Sequence, residues 1–280
     1  MSLASCHTKP DYSPKSLDLN VTYDDVYLIM GQSNASGVSQ CSFLQTKHPE
    51  IYEEFQEGNS NVLISYDVDD RIEKTYVPTC VGLGHDETYF GPEIGIANRL
   101  SKTETSYIIK ATWSGSCLMT EYVDASGNQY KYYKRFLPFI KGQLESLTKQ
   151  GKNPRLKGIF WMQGESDALT NYPNKYSEAM QWFYDYLRAD LNEWIYGYFN
   201  FVDAYISTRT VWKHADVINR CKDEFASANP NTYCIKTNGE DETAISLYLK
   251  GETGEEEDLA HYDASSMLLL GQTMAEYLTK

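Results

Sequence analysis

Short apolar, β-branched or aromatic runs alternate along the chain with longer segments in which apolar residues recur at helical spacing. That alternation is the sequence form of a mainly parallel β-sheet flanked by helices, so the pattern predicts an α/β fold. The runs at 26–30, 62–66, 107–111, 158–162, 199–205 and 233–236 read as strands, and the periodic segments at 92–102, 131–149, 172–194, 211–228 and 265–278 read as helices. Residues 41–90 hold one good strand among several turn-formers and are expected to form loops over one end of the sheet. No repeat, low-complexity tract or long Pro/Gly/Ser linker divides the sequence, which predicts a polar N-terminal tail over 1–22 and a single domain over 23–280.

Composition narrows the function classes. The 280 residues carry 25 Lys and Arg against 39 Asp and Glu, a net charge of −14. Such a charge repels phosphate backbones and anionic lipid, and no run approaches the ~18 apolar residues of a membrane span. Neither nucleic-acid binding nor membrane insertion is expected. The six cysteines are far apart, with no C-x-x-C and no histidine at zinc-ligand spacing, so no metal site is written here and disulfide pairing is left open. The first twenty residues lack the apolar core of a secretory signal. The run Leu3-Ala4-Ser5-Cys6 has the form of a bacterial lipoprotein cleavage box without its hydrophobic segment, which favours a secreted or extracytoplasmic protein whose signal has been trimmed.

The turns at the strand ends carry the chemistry. The run 26–30 ends in Gly31-Gln32-Ser33-Asn34, 107–111 in Thr112-Trp113-Ser114-Gly115, and 158–162 in Gln163-Gly164-Glu165-Ser166-Asp167. Ligands of open parallel sheets bind beyond the carboxyl ends of the strands, so these three turns are expected to meet at one edge. Ser33 stands where a tight turn could lift its hydroxyl to the mouth of the sheet. By position alone it reads first as a helix N-cap, and as a nucleophile it needs a base. Of the five histidines, His7 lies in the tail, and His48, His85 and His214 suit ordinary solvated positions. His261 follows Asp258 in a D-x-x-H arrangement that lets a carboxylate hold Nδ1 while Nε2 faces a nucleophile, although the acidic run 254–258 would also put acids near a histidine as a solvated loop.

Taken together, 31–37 (GQSNASG), 91–95 (GPEIG), 161–168 (WMQGESDA) and 258–261 (DLAH) resemble, in order, the motif blocks of the sialate O-acetylesterase and acetyl xylan esterase group of SGNH hydrolases. The resemblance spans about residues 25–278. It implies a three-layer α/β/α fold resembling flavodoxin and cofactor-free serine hydrolysis of acetyl esters on carbohydrate. It matches Ser33 to the nucleophile, His261 to the general base and Asp258 to the orienting acid, with Asp263 in reserve. The chain departs from the wider SGNH pattern in having G-Q-S-N around the serine and no G-x-N-D block, so Gln163 stands in as oxyanion donor beside the backbone N–H groups of Ser33 and Gly115. Gln32, Asn34, Trp113 and Glu165 are the expected substrate contacts, although Glu165 reads first as a support of the Gln163 loop, and aromatic character adds Tyr122 beside Trp113 as an expected contact. Pro92 and Glu93 suit the first turn of a helix, and Ser166 or Asp167 a helix cap.

The expected partner is an acetylated carbohydrate, whether xylan, sialic acid or another glycan, the acidic charge arguing against an anionic sugar. A lipase or thioesterase of the same fold and a non-catalytic sugar-binding module are the alternatives. On oligomeric state the sequence is silent.

Overall fold

The computed structural model describes residues 14–100, 104–209, 211–239 and 244–280. Cys6, His7 and the lipoprotein-like run ending at Cys6 lie outside the described residues, as do Ser101 and Lys102 at the end of the helix predicted over 92–102. In chain order the elements are β1 (Asp24–Gly31), α1 (Ser33–Ser36), β2 (Ser39–Gln40), α2 (Cys41–Lys47), α3 (Pro49–Gln56), β3 (Asn59–Val68), β4 (Arg71–Thr79), β5 (Tyr89–Phe90), α4 (Pro92–Arg99), β6 (Ser106–Thr112), α5 (Lys131–Lys149), β7 (Pro154–Met162), α6 (Tyr176–Leu191), β8 (Asn200–Ala204), α7 (Ala215–Ala228), β9 (Thr232–Ile235), α8 (Lys250–Thr253) and α9 (Ala264–Leu278).

Seven strands form one sheet in the order β4-β3-β6-β1-β7-β8-β9, parallel throughout except for β4, which pairs antiparallel with β3. Strands β6 and β8 are buried along their whole length, as is β1 from Val26 onward. This is why they read as near-continuous apolar runs rather than as an alternation. Helices α4 and α9 pack together on one face, and α5, α6 and α7 cover the other. The chain visits β3 and β6 on one side of β1 and then crosses to β7, β8 and β9 on the other. The strand order therefore reverses beside β1, and a ligand crevice belongs outside its carboxyl end.

Residues 41–90 depart from the expected loops. They form α2, α3, the β3–β4 hairpin and β5, which pairs with β2 just before them. The hairpin's outer strand, RIEKTYVPT, is half-buried to exposed apart from Thr79 and lies at the sheet edge, where charge and a proline protect against edge pairing but erase the apolar signature of a strand. Part of the predicted tail is also ordered: the Lys15 N–H donates to the Ile195 carbonyl and the Gly197 N–H to that of Lys15. Among the described residues Cys41, Cys80, Cys117, Cys221 and Cys234 are free thiols.

Candidate active site

The crevice starts at a glycine that nothing else could replace. Gly31 ends β1 at φ +140°, and a Cβ there would lie 2.0 Å from the Met162 carbonyl oxygen of β7, to which the Gln32 N–H donates at 2.9 Å. Strand and turn are thereby locked together, and the chain enters α1 with Ser33 as its first helical residue. The N-cap is Gln32 and makes no side-chain cap bond, so Ser33 is not the capping serine that its position alone allowed. It is 8% exposed at the mouth of the sheet.

Around it lies a buried polar layer in which the predicted residues bond mainly to one another. The Gln32 Oε1 accepts from Gln163 Nε2 and from the Ser166 N–H, each at 3.2 Å. Gln163 Nε2 also donates to the Ser116 carbonyl at 3.0 Å and to Asp167, while its Oε1 accepts from the Tyr176 hydroxyl at 3.1 Å. Gln163 is wholly buried; its amide is committed to holding three turns together instead of facing an acyl oxygen. Asp167 is no helix cap. Its carboxylate accepts the Leu118 and Met119 N–H groups at 2.8 and 3.0 Å and fixes the π-helical turn 118–122 that follows β6. Burial pushes its carboxyl above the ordinary range, against the hydrogen bonds that favour the charged form.

Asn34 and Glu165 are equally buried. Asn34 Nδ2 donates to Glu165 Oε1 at 2.8 Å and to the Ala260 carbonyl at 3.4 Å, and Asn34 Oδ1 accepts the Tyr262 N–H at 3.3 Å. Gln32, Asn34 and Glu165 are thus supports of the layer rather than an open surface for substrate. Tyr122 is also fully buried, with its hydroxyl donating to the Gly31 carbonyl at 3.1 Å. Of the expected substrate contacts only Trp113 is partly exposed. Its ring stacks on Tyr132 at 5.0 Å and lies under the Arg135 guanidinium at 4.7 Å.

The acidic run before His261 is folded, not a loosely solvated loop. Glu255 is buried and paired with Lys47 at 2.7 Å. Asp258 Oδ1 accepts the Ala260 and His261 N–H groups at 2.8 and 3.2 Å, its Oδ2 bonds His261 Nδ1 at 2.8 Å, and Lys250 Nζ lies 3.4 Å away. Partial burial would raise this carboxyl, but the His261 bond, the backbone donor and the Lys250 charge together hold it far below the usual carboxylate range. Asp263, the reserve acid, caps α9 by accepting the Ser266 N–H at 2.7 Å. Among the described residues no hydrogen bond joins Ser33 to the His261 ring; Asn34, the residue after Ser33, bonds the peptide groups on both sides of His261.

Beyond β6 the turn Trp113–Ser116 closes with the Ser116 N–H donating to the Trp113 carbonyl at 3.3 Å. Gly115 sits at φ +70° with open space where a Cβ would be, so backbone conformation rather than crowding calls for glycine. Its N–H has no partner among the described residues.

Sequence reasoning missed two buried ion pairs, Lys222 with Asp203 at 2.6 Å and Lys110 with Glu93. Lys110 of β6 and Glu93 of α4, both fully buried, lie 2.7 Å apart; Glu93 also accepts the Gly91 N–H, and Lys110 donates to the Leu83 carbonyl. Glu93 was legible as a helix-start acid, but a lysine inside an apolar strand gave no signal of its partner. No group of three or more His, Cys, Asp or Glu arranged to hold a metal occurs among the described residues, and no described helix is long and apolar enough to cross a membrane.

Solved structures share this architecture. A protein of Arabidopsis thaliana superposes with a TM-score of 0.67 at 18% identity, over 92% of this chain and 99% of its own. NanS gives 0.64 at 12% identity, over 92% and 97%. A carbohydrate acetylesterase from Xanthomonas citri gives 0.52 at 16% identity, over 90% of this chain and 56% of its own. At these identities the likeness speaks for the fold alone, a mostly parallel seven-stranded sheet flanked by helices. No curated protein matches by sequence. Residues 23–280, however, match the family model described as carbohydrate esterase, sialic acid-specific acetylesterase, and by that match the chain belongs to this family of carboxylic ester hydrolases.

Proposed function

We propose that the protein removes O-linked acetyl groups from carbohydrate through Ser33, His261 and Asp258, with residues 23–280 acting as one catalytic unit. The observation that carries the reading is the placement of His261. Asp258 holds its Nδ1, Asn34 holds the peptide groups on both sides of it, and Asn34 is the residue next to Ser33.

In this reading the imidazole takes the Ser33 proton as the hydroxyl attacks the acetyl carbonyl. The ring gains a charge in that step, and Asp258, held ionised, stabilises it. The oxyanion is received by the backbone N–H groups of Ser33 and Gly115; one such donor is typically worth about 3–4 kcal/mol of barrier. His261 then returns the proton to the departing sugar hydroxyl, and activates water to release acetate from Ser33. Gln163 serves by fixing Gln32, Ser116 and Asp167, which together set the two donor turns. Trp113, partly exposed and stiffened by Tyr132 and Arg135, is the aromatic contact assigned to the sugar. Tyr172 and Trp182 line a separate cleft beside Met119 and Val123.

The test is acetate release from acetylated xylan, O-acetylated sialic acid and neutral acetylated oligosaccharides by wild type and Ser33→Ala. Release by wild type on at least one glycan and its loss in the variant supports the reading. Undiminished release by Ser33→Ala removes the serine mechanism, and turnover of long-chain acyl esters in preference to acetyl would favour a lipase.

A further inference from the structure

The turn that offers the Gly115 N–H is itself gripped from outside. The β3–β4 hairpin reverses at Asp69 and Asp70, with Val68 paired to Arg71, and both aspartates lie in the left-handed region at φ +49° and +71°. Two-residue turns of this kind are ordinarily built with glycine or asparagine, and non-glycine residues held there mark a place where the surroundings impose the conformation. The surroundings are visible. Asp69 Oδ1 accepts the Ser114 N–H at 2.6 Å and its Oδ2 accepts the Ser114 hydroxyl at 2.7 Å. Oδ2 also bonds His85 Nδ1 at 2.9 Å, and the His85 N–H donates to the Gly37 carbonyl just beyond α1. Asp70 pairs with Arg135, the guanidinium that lies over Trp113.

From this we infer that Asp69 is a positioning residue for ester hydrolysis: its carboxylate sets the Trp113–Ser116 turn so that the Gly115 N–H is aimed at the developing oxyanion, and His85 ties that carboxylate to the segment that carries Ser33. The inference rests on the serine-esterase reading above. Asp69 touches no substrate. It acts on the transition state, because the N–H it aims binds the oxyanion more strongly than the ground-state carbonyl. Its loss therefore falls on kcat and leaves KM nearly alone.

Asp69→Gly is the clean deletion, since glycine accepts φ +49° without strain. Asp69→Asn tolerates the same conformation and retains an Oδ1 acceptor for the Ser114 N–H. With p-nitrophenyl acetate, Asp69→Gly should lose about 10–100-fold in kcat with KM within about twofold, as expected for a donor displaced by a fraction of an ångström to an ångström. Asp69→Asn should recover most of that loss. Ser33→Ala is run beside them: if it stays active, the serine reading itself fails. If Ser33→Ala is inactive while Asp69→Gly keeps the wild-type kcat, or loses only KM, the positioning role is overturned and the serine reading stands. Should Asp69→Gly not fold, Asp69→Asn decides through its own kcat and KM: a loss confined to KM overturns the role, and a modest loss confined to kcat supports it.

Discussion

The side chain of Asn34 takes hold of both peptide groups that flank His261, donating to the Ala260 carbonyl at 3.4 Å and accepting the Tyr262 N–H at 3.3 Å. A residue adjacent to Ser33 thereby fixes the backbone of a histidine near the other end of the chain. Glu165 in turn holds Asn34 at 2.8 Å, and burial pushes the Glu165 carboxyl up against the lowering influence of that bond. Removing the amide by Asn34→Ala loosens the His261 loop and leaves Glu165 buried without its donor. The expected result is a fall of about 10–100-fold in kcat/KM and a loss of about 1–3 kcal/mol in unfolding free energy, read by acetyl-ester kinetics and urea denaturation on the same preparation.

The two aspartates near His261 separate by role. Asp258→Asn breaks the charged bond to Nδ1 and is expected to lower kcat by about 1,000–10,000-fold while the protein stays folded. Asp263→Ala removes the cap of α9, costs about 1 kcal/mol of stability and leaves kcat within about twofold of wild type, once the variant is assayed well below its melting temperature. Reversal of the two kinetic effects would assign the orienting acid to Asp263.

The Glu93–Lys110 pair predicts a pH-dependent stability. Burial lowers the Lys110 ammonium below its ordinary range, while Glu93 opposes that shift. Because the folded value lies below the unfolded one, about 10.4, the unfolded chain binds the proton more tightly, and this group makes stability rise with pH across the window between the two values. Glu93→Gln removes the opposing charge, so the folded value falls further and the window widens downward. The variant should be about 3–5 kcal/mol less stable near neutral pH and should recover more stability than wild type between pH 7 and pH 10. Urea unfolding of both proteins across that range checks it, and parallel curves would contradict the assignment.

The central strands were readable because β1, β6, β7 and β8 are enclosed by helices on both sides and so consist of apolar runs. The hairpin strand β4 was not, since an edge strand keeps charges and Pro78 along its length. At the site, the motif blocks brought Ser33, Gln163 and His261 into view and the spacing paired Asp258 with His261. They could not say which hydrogen bonds each side chain makes once buried. The resemblance put Gln163 in the place of the missing G-x-N-D asparagine as oxyanion donor, whereas its buried Nε2 donates to Gln32, Ser116 and Asp167. Asp69 was invisible for a different reason: its partner Ser114 is 45 residues away, and nothing local in a turn of two aspartates points to a contact so distant in sequence.

Covalent trapping of the nucleophile tests the central claim most directly. The intact protein is treated with a fluorophosphonate probe at neutral pH, digested, and the modified peptide identified by mass spectrometry, with Ser33→Ala and His261→Ala treated in parallel. The account predicts stoichiometric labelling on Ser33 in wild type, none in Ser33→Ala, and labelling slowed by at least about 100-fold in His261→Ala, since the hydroxyl then lacks its base. A label on another residue, or equal labelling rates in wild type and His261→Ala, would contradict it.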